Sequence, residues 1–258
     1  MEERHELGRR KPRGLSTGGL RTLALGLLLL GVFGASVLQR GILKLDGLNS
    51  HQLLEKLNHS EAMGTATAVL LLRVCTCCAV PLFAFLTLEG FLHTSRFSRY
   101  LLRVAVVAAI SEVPFHFAMA GTWFRWEAHN PVLGVVIALI MLYLFQYFQG
   151  QTLQRRLLRG AICLAAVLWA GMLRVEEGVP FVLLTAVFWA LRNRPGFRTM
   201  GGCMATLLCC LFSPYYLGAP LTLMAVHAYN GEEGTVGMQR YALYPAALVL
   251  AGLAVQYM

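Results

Sequence analysis

Two acid–imidazole pairs have the residue types and spacing for proton-transfer chemistry. Glu89 precedes His93 by four positions, and Glu112 precedes His116 by the same spacing. Residues four apart share one face of a helix, and a carboxylate beside an imidazole can orient it as a general base. Two simpler interpretations stay open. The first pair could merely anchor a helix end at a membrane interface, and Glu112 could be a structural acid paired with Arg73 or another internal cation.

Other short motifs of catalysis or metal binding are missing from the sequence. It has no Gly-rich phosphate loop, no convincing Ser-His-Asp spacing and no HExxH motif. The seven cysteines lie in apolar segments, where Cys behaves as a small hydrophobic residue, and they lack the paired CxxC spacing of zinc sites. No metal site is therefore predicted. The run from Tyr229 to Gly234 places two acids between glycines and is interpreted as a tight polar turn.

The segments that carry the two pairs are strongly apolar. Hydrophobic residues make up 57% of the 258 residues and charged residues only 14%, whereas a soluble domain carries about 25% charged residues. Continuous apolar blocks, such as Leu20 to Leu38, match the roughly 30 Å hydrocarbon core of a bilayer. Helices satisfy their own backbone hydrogen bonds there, and these blocks lack the alternation of a barrel strand. The first block is interpreted as a signal anchor that stays as the first helix.

The block pattern predicts an all-α, polytopic integral membrane bundle with eight or nine transmembrane helices. Residues 1–19 are predicted to form a basic cytoplasmic tail, and 20–258 a single helical domain with a short amphipathic segment at 52–57. The stretch 199–228 is interrupted at Ser213-Pro214, so it is either two short helices or one broken helix. The predicted helices are 20–38, 64–91, 100–119, 131–149, 158–173, 178–191, one or two within 199–228, and 241–257.

The distribution of charge predicts the orientation in the membrane. The formal net charge is +9, with 22 Lys and Arg residues. If the N-terminus is cytoplasmic, 16 of these 22 lie on the cytoplasmic side, which is the positive-inside pattern rather than a nucleic-acid surface. We therefore expect a cytoplasmic-membrane protein whose partner is the lipid bilayer. A hairpin at 199–228 gives nine helices and an external C-terminus, and a single crossing gives eight helices and an internal C-terminus.

Several motifs occur in an order that resembles the TraX family of bacterial membrane proteins. They are Ala79 to Leu86, Glu89 to Thr94, Tyr100 to Arg103, Ile110 to Phe115, Asn130 to Leu133, Tyr229 to Gly231 with Gly234, and Tyr244-Pro245. Together they span nearly the whole chain after residue 70. The family is associated with N-terminal acetylation of conjugative pilin, so the resemblance implies an all-helical, polytopic acetyltransferase.

The resemblance also implies a reaction and the residues that carry it. An acetyl group would pass from acetyl-CoA to an amine or hydroxyl, on a small molecule or a protein N-terminus. Such a transfer needs a base near the acceptor and donors for the oxyanion. By motif position, the expected catalytic residues are Glu89, His93 and Glu112. The expected substrate-binding residues are Arg103, Asn130, Tyr229 and Asn230.

The sequence departs from the family pattern at three places. The Asp-His pair late in the first helix is replaced by Gly31 to Ser36, the Gly-Arg before the Ala-Phe-Pro element by Thr76-Cys77, and the His after the last Tyr-Pro by Ala247. Two hypotheses follow. The chain is an acetyltransferase that uses one of its remaining acid–imidazole pairs, or it is a non-catalytic member that binds a lipid or ligand or scaffolds a partner. A transporter is a third possibility, although the sequence lacks inverted repeats.

Overall fold

Every regular element that the structure describes is helical, which confirms the all-α prediction. The structure is a computed structural model, and it describes residues 14–44, 60–124, 126–232 and 240–258. The predicted tail up to residue 13 and the amphipathic segment at 52–57 lie outside the described residues. The α-helices are α1 (Thr17–Phe33), α2 (Ser60–His93), α3 (Phe97–Ala120), α4 (Val132–Tyr147), α5 (Leu153–Met172), α6 (Gly178–Ala190), α7 (Pro195–Leu208), α8 (Leu223–His227) and α9 (Arg240–Gln256). A π-helical segment, Gly34–Ile42, continues α1, and 3-10 segments at Cys209–Leu211 and Pro214–Thr222 connect α7 to α8.

Helix α2 is the central helix of the bundle. It packs against α1, α6 and the 3-10 segment that begins at Pro214. Leu82, Phe85 and Leu88 are fully buried on one side of it, because residues three apart project from the same helix face. The pattern places the largest part of the apolar core around the second half of α2, next to the segment that carries Glu89.

Helix α1 crosses α2 through small residues. A Cβ atom at Gly31 would overlap the Thr76 side chain, and a Cβ atom at Gly34 would overlap Leu72. The two helix backbones therefore come closer than larger residues would allow. This crossing lies in the segment from Gly31 to Ser36, where the sequence lacks the Asp-His pair of the pattern that it resembles.

The end of the bundle at which α1 begins, here called the first end, is closed by the loop after α8. The backbone N–H of Leu15 donates to the carbonyl oxygen of Ala228 at 2.8 Å. The Thr199 hydroxyl, near the start of α7, lies 3.3 Å from Nδ1 of His227, at the end of α8. Residues 195–229 therefore form a hairpin whose two arms begin and finish at the first end, with the reversal near Pro214.

The opposite end, here called the second end, is held by contacts between connecting segments. Arg40 donates to the carbonyl oxygen of Phe117 at 2.9 Å, beside the last turn of α3. The backbone N–H of His129 donates to the carbonyl oxygen of Arg174 at 3.0 Å. These contacts join the π-helical segment to α3, and the loop before α4 to the loop after α5.

Length and surface composition indicate a membrane protein. Three helical stretches are long and apolar enough to cross a bilayer: Thr17–Ile42, Met63–His93 and Phe97–Ala120. Four shorter apolar stretches are Val132–Tyr147, Gly178–Ala190, Gly196–Leu211 and Ala242–Gln256. Large apolar side chains, including Leu71, Leu102, Leu164 and Leu250, are more than half exposed. A bilayer would cover such a surface, which is too extensive for a monomer in water.

Candidate functional site

Glu89 is the centre of a polar cluster at the first end. Its Oε2 atom accepts a hydrogen bond from the Tyr229 hydroxyl at 3.4 Å, and its Oε1 lies 3.9 Å from Nη1 of Arg198. The Thr17 hydroxyl lies 3.1 Å from that of Tyr229. Side chains from α2, α7 and the loop after α8 therefore meet at one carboxylate, and α1 joins them through Tyr229. With His93, these residues (Glu89, Arg198 and Tyr229) are called the Glu89 cluster below.

His93 is held by the preceding turn of its own helix. Its Nδ1 lies 2.9 Å from the backbone oxygen of Glu89 and 3.5 Å from the Oε2 atom of the same residue. A carbonyl oxygen only accepts hydrogen bonds, so Nδ1 carries the proton and Nε2 is the basic nitrogen of the neutral ring. The side chain is 56% exposed. An imidazole anchored through one nitrogen and accessible at the other is suited to general-base catalysis.

Arg198 brings a buried positive charge to the Glu89 cluster. Its guanidinium carbon lies 4.6 Å from the ring centre of Phe85, a cation–π distance. The side chain is only 12% exposed, and its Nε finds no hydrogen-bond partner among the described residues. Arg198 therefore has a buried donor available to a bound anion or carbonyl oxygen.

The loop after α8 places Tyr229 over α2. Asn230 shapes this loop, since its Oδ1 accepts from the Glu232 backbone N–H at 3.0 Å and its Nδ2 donates to the Glu232 carboxylate at 3.2 Å. Burial raises the pKa of the Tyr229 hydroxyl, so this group is a proton donor at neutral pH. The geometry gives Asn230 a positioning role, and its predicted contact with substrate stays a prediction.

At the second end, Glu112 lies between two imidazoles. Its Oε1 is 3.1 Å from Nε2 of His116 and 2.5 Å from Nδ1 of His129. The first contact is the predicted pair at spacing four, and the second joins α3 to the loop before α4. His116 is 2% exposed, whereas Glu112 and His129 retain 19% and 14%. These three residues are called the Glu112 cluster, and their ligand atoms all lie within 4.8 Å of one another.

Asn130 fixes the loop that carries His129. Its fully buried side chain donates from Nδ2 to the Ala108 carbonyl oxygen at 2.9 Å and accepts at Oδ1 from the Val132 N–H at 2.7 Å. Its backbone N–H donates to Oε2 of Glu112 at 3.3 Å. Both polar atoms of the side chain are therefore used by the backbone. The geometry gives Asn130 a positioning role at the start of α4, and substrate binding by it stays a prediction.

The structure separates the predicted catalytic residues into two places. Glu89 lies one turn before the end of α2, whereas Glu112 lies about 15 residues into α3, roughly 22 Å along the axis at about 1.5 Å per residue. The two acids therefore do not share a site. Arg103, the predicted substrate-binding residue of α3, is exposed. Arg73 pairs with Glu176 at 3.1 Å, so the alternative that paired it with Glu112 is wrong.

A mainly apolar cavity of about 230 Å³ lies inside the bundle between the two clusters. On α1 and its π-helical continuation it is lined by residues from Arg21 to Ala35, which spans roughly 20 Å of helix. Arg21 and Tyr100 line it near the first end, and Arg73 with Glu176 near the second. The cavity could therefore hold an apolar ligand, with the cation of Arg21 towards one end and that of Arg73 towards the other.

Sequence reasoning missed Arg198, His129 and the Glu177–Tyr216 contact. Arg198 lies in a short basic segment, 192–198, whose charge is also explained by the positive-inside pattern. His129 directly precedes the Asn-Pro motif, and that position was the signal available for it. The Tyr216 hydroxyl donates to Oε2 of Glu177 at 2.6 Å, a contact across 39 positions that no local pattern reveals.

The chain is similar in sequence to a known protein family. The profile of one protein family, described as TraX protein, matches residues 20–254. This range includes all nine α-helices except the first residues of α1 and the last of α9. No curated protein and no solved structure matches the chain significantly.

Proposed function

The chain belongs to the TraX family, and on that premise we propose that it is a membrane-bound acetyltransferase. The acetyl group moves from acetyl-CoA to an amine or hydroxyl acceptor. The observation that carries the proposal is the half-exposed imidazole of His93, anchored on Glu89. Both residues belong to the segment from Glu89 to Thr94 that resembles the family.

The Glu89 cluster contains the groups that acyl transfer requires. Nε2 of His93 takes the proton of the acceptor as its nitrogen or oxygen attacks the thioester carbon. The tetrahedral intermediate then breaks its C–S bond, and the departing CoA sulfur takes the proton from the imidazolium. Glu89 orients the ring and stabilises its charged form, while Arg198 or Tyr229 donates to the oxyanion. General-base catalysis of this kind contributes about 10²–10⁴-fold in rate.

The first end also has the charge expected of a CoA-binding surface. Its connecting segments and the first turns of α3 carry many arginines, and guanidinium groups bind phosphate with paired hydrogen bonds. Arg103 belongs to this set, which is consistent with its proposed role in binding substrate. These arginines are Arg96, Arg99, Arg103, Arg192 and Arg194. Glu112 lies at the other end, so this reaction scheme does not use it as the base.

The proposed orientation places the first end in the cytoplasm, where acetyl-CoA is made. Positive charge concentrates there, and the hairpin at 195–229 supports nine crossings with an external C-terminus. The Met258 sulfur would lie 3.1 Å from a Cβ atom at Gly41, so the C-terminus lies at the second end.

Fusion of alkaline phosphatase to the C-terminus tests this topology, and we expect active enzyme. Fluorescence of a C-terminal green fluorescent protein, with inactive phosphatase, would contradict it.

A second candidate function is binding of an apolar ligand without catalysis. The apolar cavity favours it, as does the close α1–α2 crossing at Gly31 and Gly34, where the family pattern has an Asp-His pair. In this case the protein would hold a lipid or acyl chain, and the Glu89 cluster would stabilise the first end.

Acetyl transfer in lipid nanodiscs distinguishes the two functions. The purified protein is given radiolabelled acetyl-CoA and a panel of amine and hydroxyl acceptors, including peptides with a free N-terminus. We expect labelled product, with kcat lowered at least about 100-fold in His93→Ala. His227→Ala is the matched control, because His227 is an exposed histidine at the same end, and it should retain full activity.

Product formation that is equal in His93→Ala and the unaltered protein would remove His93 as the base. Absence of product with every acceptor, together with co-purified lipid found by native mass spectrometry, would favour the ligand-binding function. Loss of that lipid when Ala79 of the cavity wall is changed to Phe would place it in the cavity.

A further inference from the structure

We propose that Glu112, His116 and His129 bind one divalent transition-metal ion, of which Zn²⁺ is the best match. The three side chains supply two imidazole nitrogens and one carboxylate oxygen within 4.8 Å of one another. Two His and one carboxylate form a common ligand set for Zn²⁺ sites that keep an open coordination position. The sequence analysis predicted no metal site, because the third ligand lies in a loop outside any metal-binding motif.

The distances between the ligand atoms are close to those of a coordinated ion. Zn²⁺ binds His nitrogen at about 2.0–2.1 Å and carboxylate oxygen at about 2.0–2.2 Å, so neighbouring tetrahedral ligands lie about 3.3 Å apart. Oε1 of Glu112 lies 3.1 Å from Nε2 of His116 and 2.5 Å from Nδ1 of His129. The ligand nitrogens of the two rings lie within 4.8 Å of each other, so movements of up to about 1.5 Å in the carboxylate and the rings bring all three atoms to the tetrahedral spacing.

The orientation of the two imidazoles also fits a shared ion. Two rings bound to one ion have their centres about 5–6 Å apart, given the bond lengths of His ligands. The ring centres of His116 and His129 are 6.1 Å apart, and the planes meet at 78°. Two neutral rings that each donate a proton to Glu112 would satisfy the hydrogen bonds without an ion. On binding of the ion each ring would shift its proton to its other nitrogen and coordinate through the nitrogen that faces Glu112, so the two states differ in the tautomer of both rings.

The ligands are held in place before any ion binds. Asn130 clamps the loop to α3 through the Ala108 carbonyl oxygen at 2.9 Å, and its N–H donates to the second oxygen of Glu112 at 3.3 Å. The backbone of His129 pairs with the loop after α5 through Arg174 and Glu176 at 3.0 and 2.9 Å. A hydrogen bond to the free oxygen of a ligating carboxylate is the usual outer contact of a metal site.

The surroundings give the cluster a dry inner side and an accessible outer side. The His116 ring centre lies 5.6 Å from that of Phe115 and 5.2 Å from that of Phe124. His129 lies nearer the end of the bundle, with Trp126 at 6.1 Å between ring centres. The His116 side chain is 2% exposed and the His129 side chain 14%. Ions can therefore enter from the second end, on the side of His129. The ion would join α3 to the loop before α4 and keep one position for water or a ligand.

This site is independent of the proposed acetyl transfer. The Glu112 cluster lies at the second end and the Glu89 cluster at the first, and the reaction scheme above uses no residue of the Glu112 cluster. Either proposal can therefore fail without the other. His93→Gln is the variant that separates them, since it should reduce transfer and leave metal binding unchanged.

Metal binding is tested on the full chain in detergent, purified through a tag without histidines and treated with chelator. Titration with Zn²⁺ followed by calorimetry should give one ion per chain. Binding should weaken at least about 100-fold in His129→Gln, in line with loss of one of three protein ligands. Glu127→Gln, which changes another acid of the same loop, and His93→Gln are the controls and should bind as the unaltered protein does.

A spectroscopic measurement keeps the test valid if a variant folds poorly. Co²⁺ should give the visible absorption of a four-coordinate site, and His129→Cys should add a sulfur-to-cobalt charge-transfer band in the ultraviolet. The proposal is overturned if Zn²⁺ does not bind at micromolar concentration. It is also overturned if the affinity is the same in His129→Gln, or if His129→Cys adds no such band.

Discussion

The guanidinium of Arg73 lies 3.1 Å from the carboxylate of Glu176, which joins the middle of α2 to the loop between α5 and α6. Both residues line the internal cavity. The next residue, Glu177, accepts a hydrogen bond from Tyr216 on the hairpin. Two consecutive acids of one loop thus contact different parts of the bundle. Charged groups at this depth require such partners, because an unpaired charge away from water is costly.

The Arg73–Glu176 pair should show a favourable coupling energy. Arg73→Met leaves the carboxylate without its partner, and Glu176→Gln leaves the guanidinium without its counter-charge. Each should lower the free energy of unfolding by about 1–2 kcal/mol, less than the 3–5 kcal/mol of a fully buried pair, since the side chains retain 38% and 26% exposure. Thermal unfolding in detergent, followed by tryptophan fluorescence, measures the loss.

The double variant Arg73→Met with Glu176→Gln is the control for this pair. The double variant removes both charges together. Its free energy of unfolding should therefore be no lower than that of the less stable single variant. Losses in the two single variants that add up in the double variant would show that the residues are not coupled, contrary to the observed contact.

Gly121 should be the glycine least tolerant of a side chain at the second end. It has a φ of +70° and follows the last residue of α3, a conformation that costs other residues about 1–2 kcal/mol. A Cβ atom at Gly121 would overlap the guanidinium of Arg40, which donates to the carbonyl oxygens of Phe117 and Ala118 at 2.9 and 3.2 Å. Gly121→Ala should therefore lower the free energy of unfolding by about 2 kcal/mol or more, because it adds displacement of Arg40 to the backbone strain.

Gly160→Ala provides the matched control, since Gly160 lies inside α5 and a Cβ atom there meets nothing within 4 Å. This change should be neutral or stabilising by up to about 1 kcal/mol, the difference in helix propensity. Equal stability of the two alanine variants, measured by the same thermal unfolding, would refute the role of Gly121.

Helical elements could be predicted from the sequence because long apolar blocks leave few alternatives. The helix predicted at 178–191 is observed at Gly178–Ala190, and the helix predicted at 100–119 is observed at Phe97–Ala120. The first helix was predicted to end at residue 38, yet helical structure continues to Ile42. Arg40 lies in this continuation, and its guanidinium donates to the carbonyl oxygen of Phe117 at the end of α3. The two residues of this contact lie 77 positions apart in the sequence, so no local pattern predicts it.

The same distinction between local and distant contacts applies to the site. The Glu112–His116 contact was predictable, because spacing four on a helix brings side chains together. His129 was not predictable, since its approach to Glu112 depends on the fold of the loop before α4. The Arg73–Glu176 pair joins residues 103 positions apart, and without it the sequence offered Glu112 as a plausible but incorrect partner.

Glu177 should make the stability of the protein depend on pH. Burial in the loop before α6 raises the pKa of this carboxyl above its ordinary value of 4.5, and the hydrogen bond from Tyr216 opposes that rise. Between the ordinary and the raised pKa the folded protein binds more protons at this group than the unfolded chain does. The contribution of Glu177 is therefore most favourable below pH 4.5 and is lost as the pH rises through the raised pKa.

Tyr216→Phe should increase this pH dependence, because it removes the donor that favours the ionised carboxylate. We expect a loss of about 1–3 kcal/mol at pH 7.5, the cost of a buried group without its hydrogen bond. The loss should shrink as the pH falls towards 4.5, because the raised pKa favours the protonated carboxyl there. Unfolding midpoints from pH 4 to pH 8 measure it, with Tyr257→Phe as the control because Tyr257 is 89% exposed. A loss that is constant across this range would mean that packing of the Tyr216 ring, rather than the charge of Glu177, determines the effect.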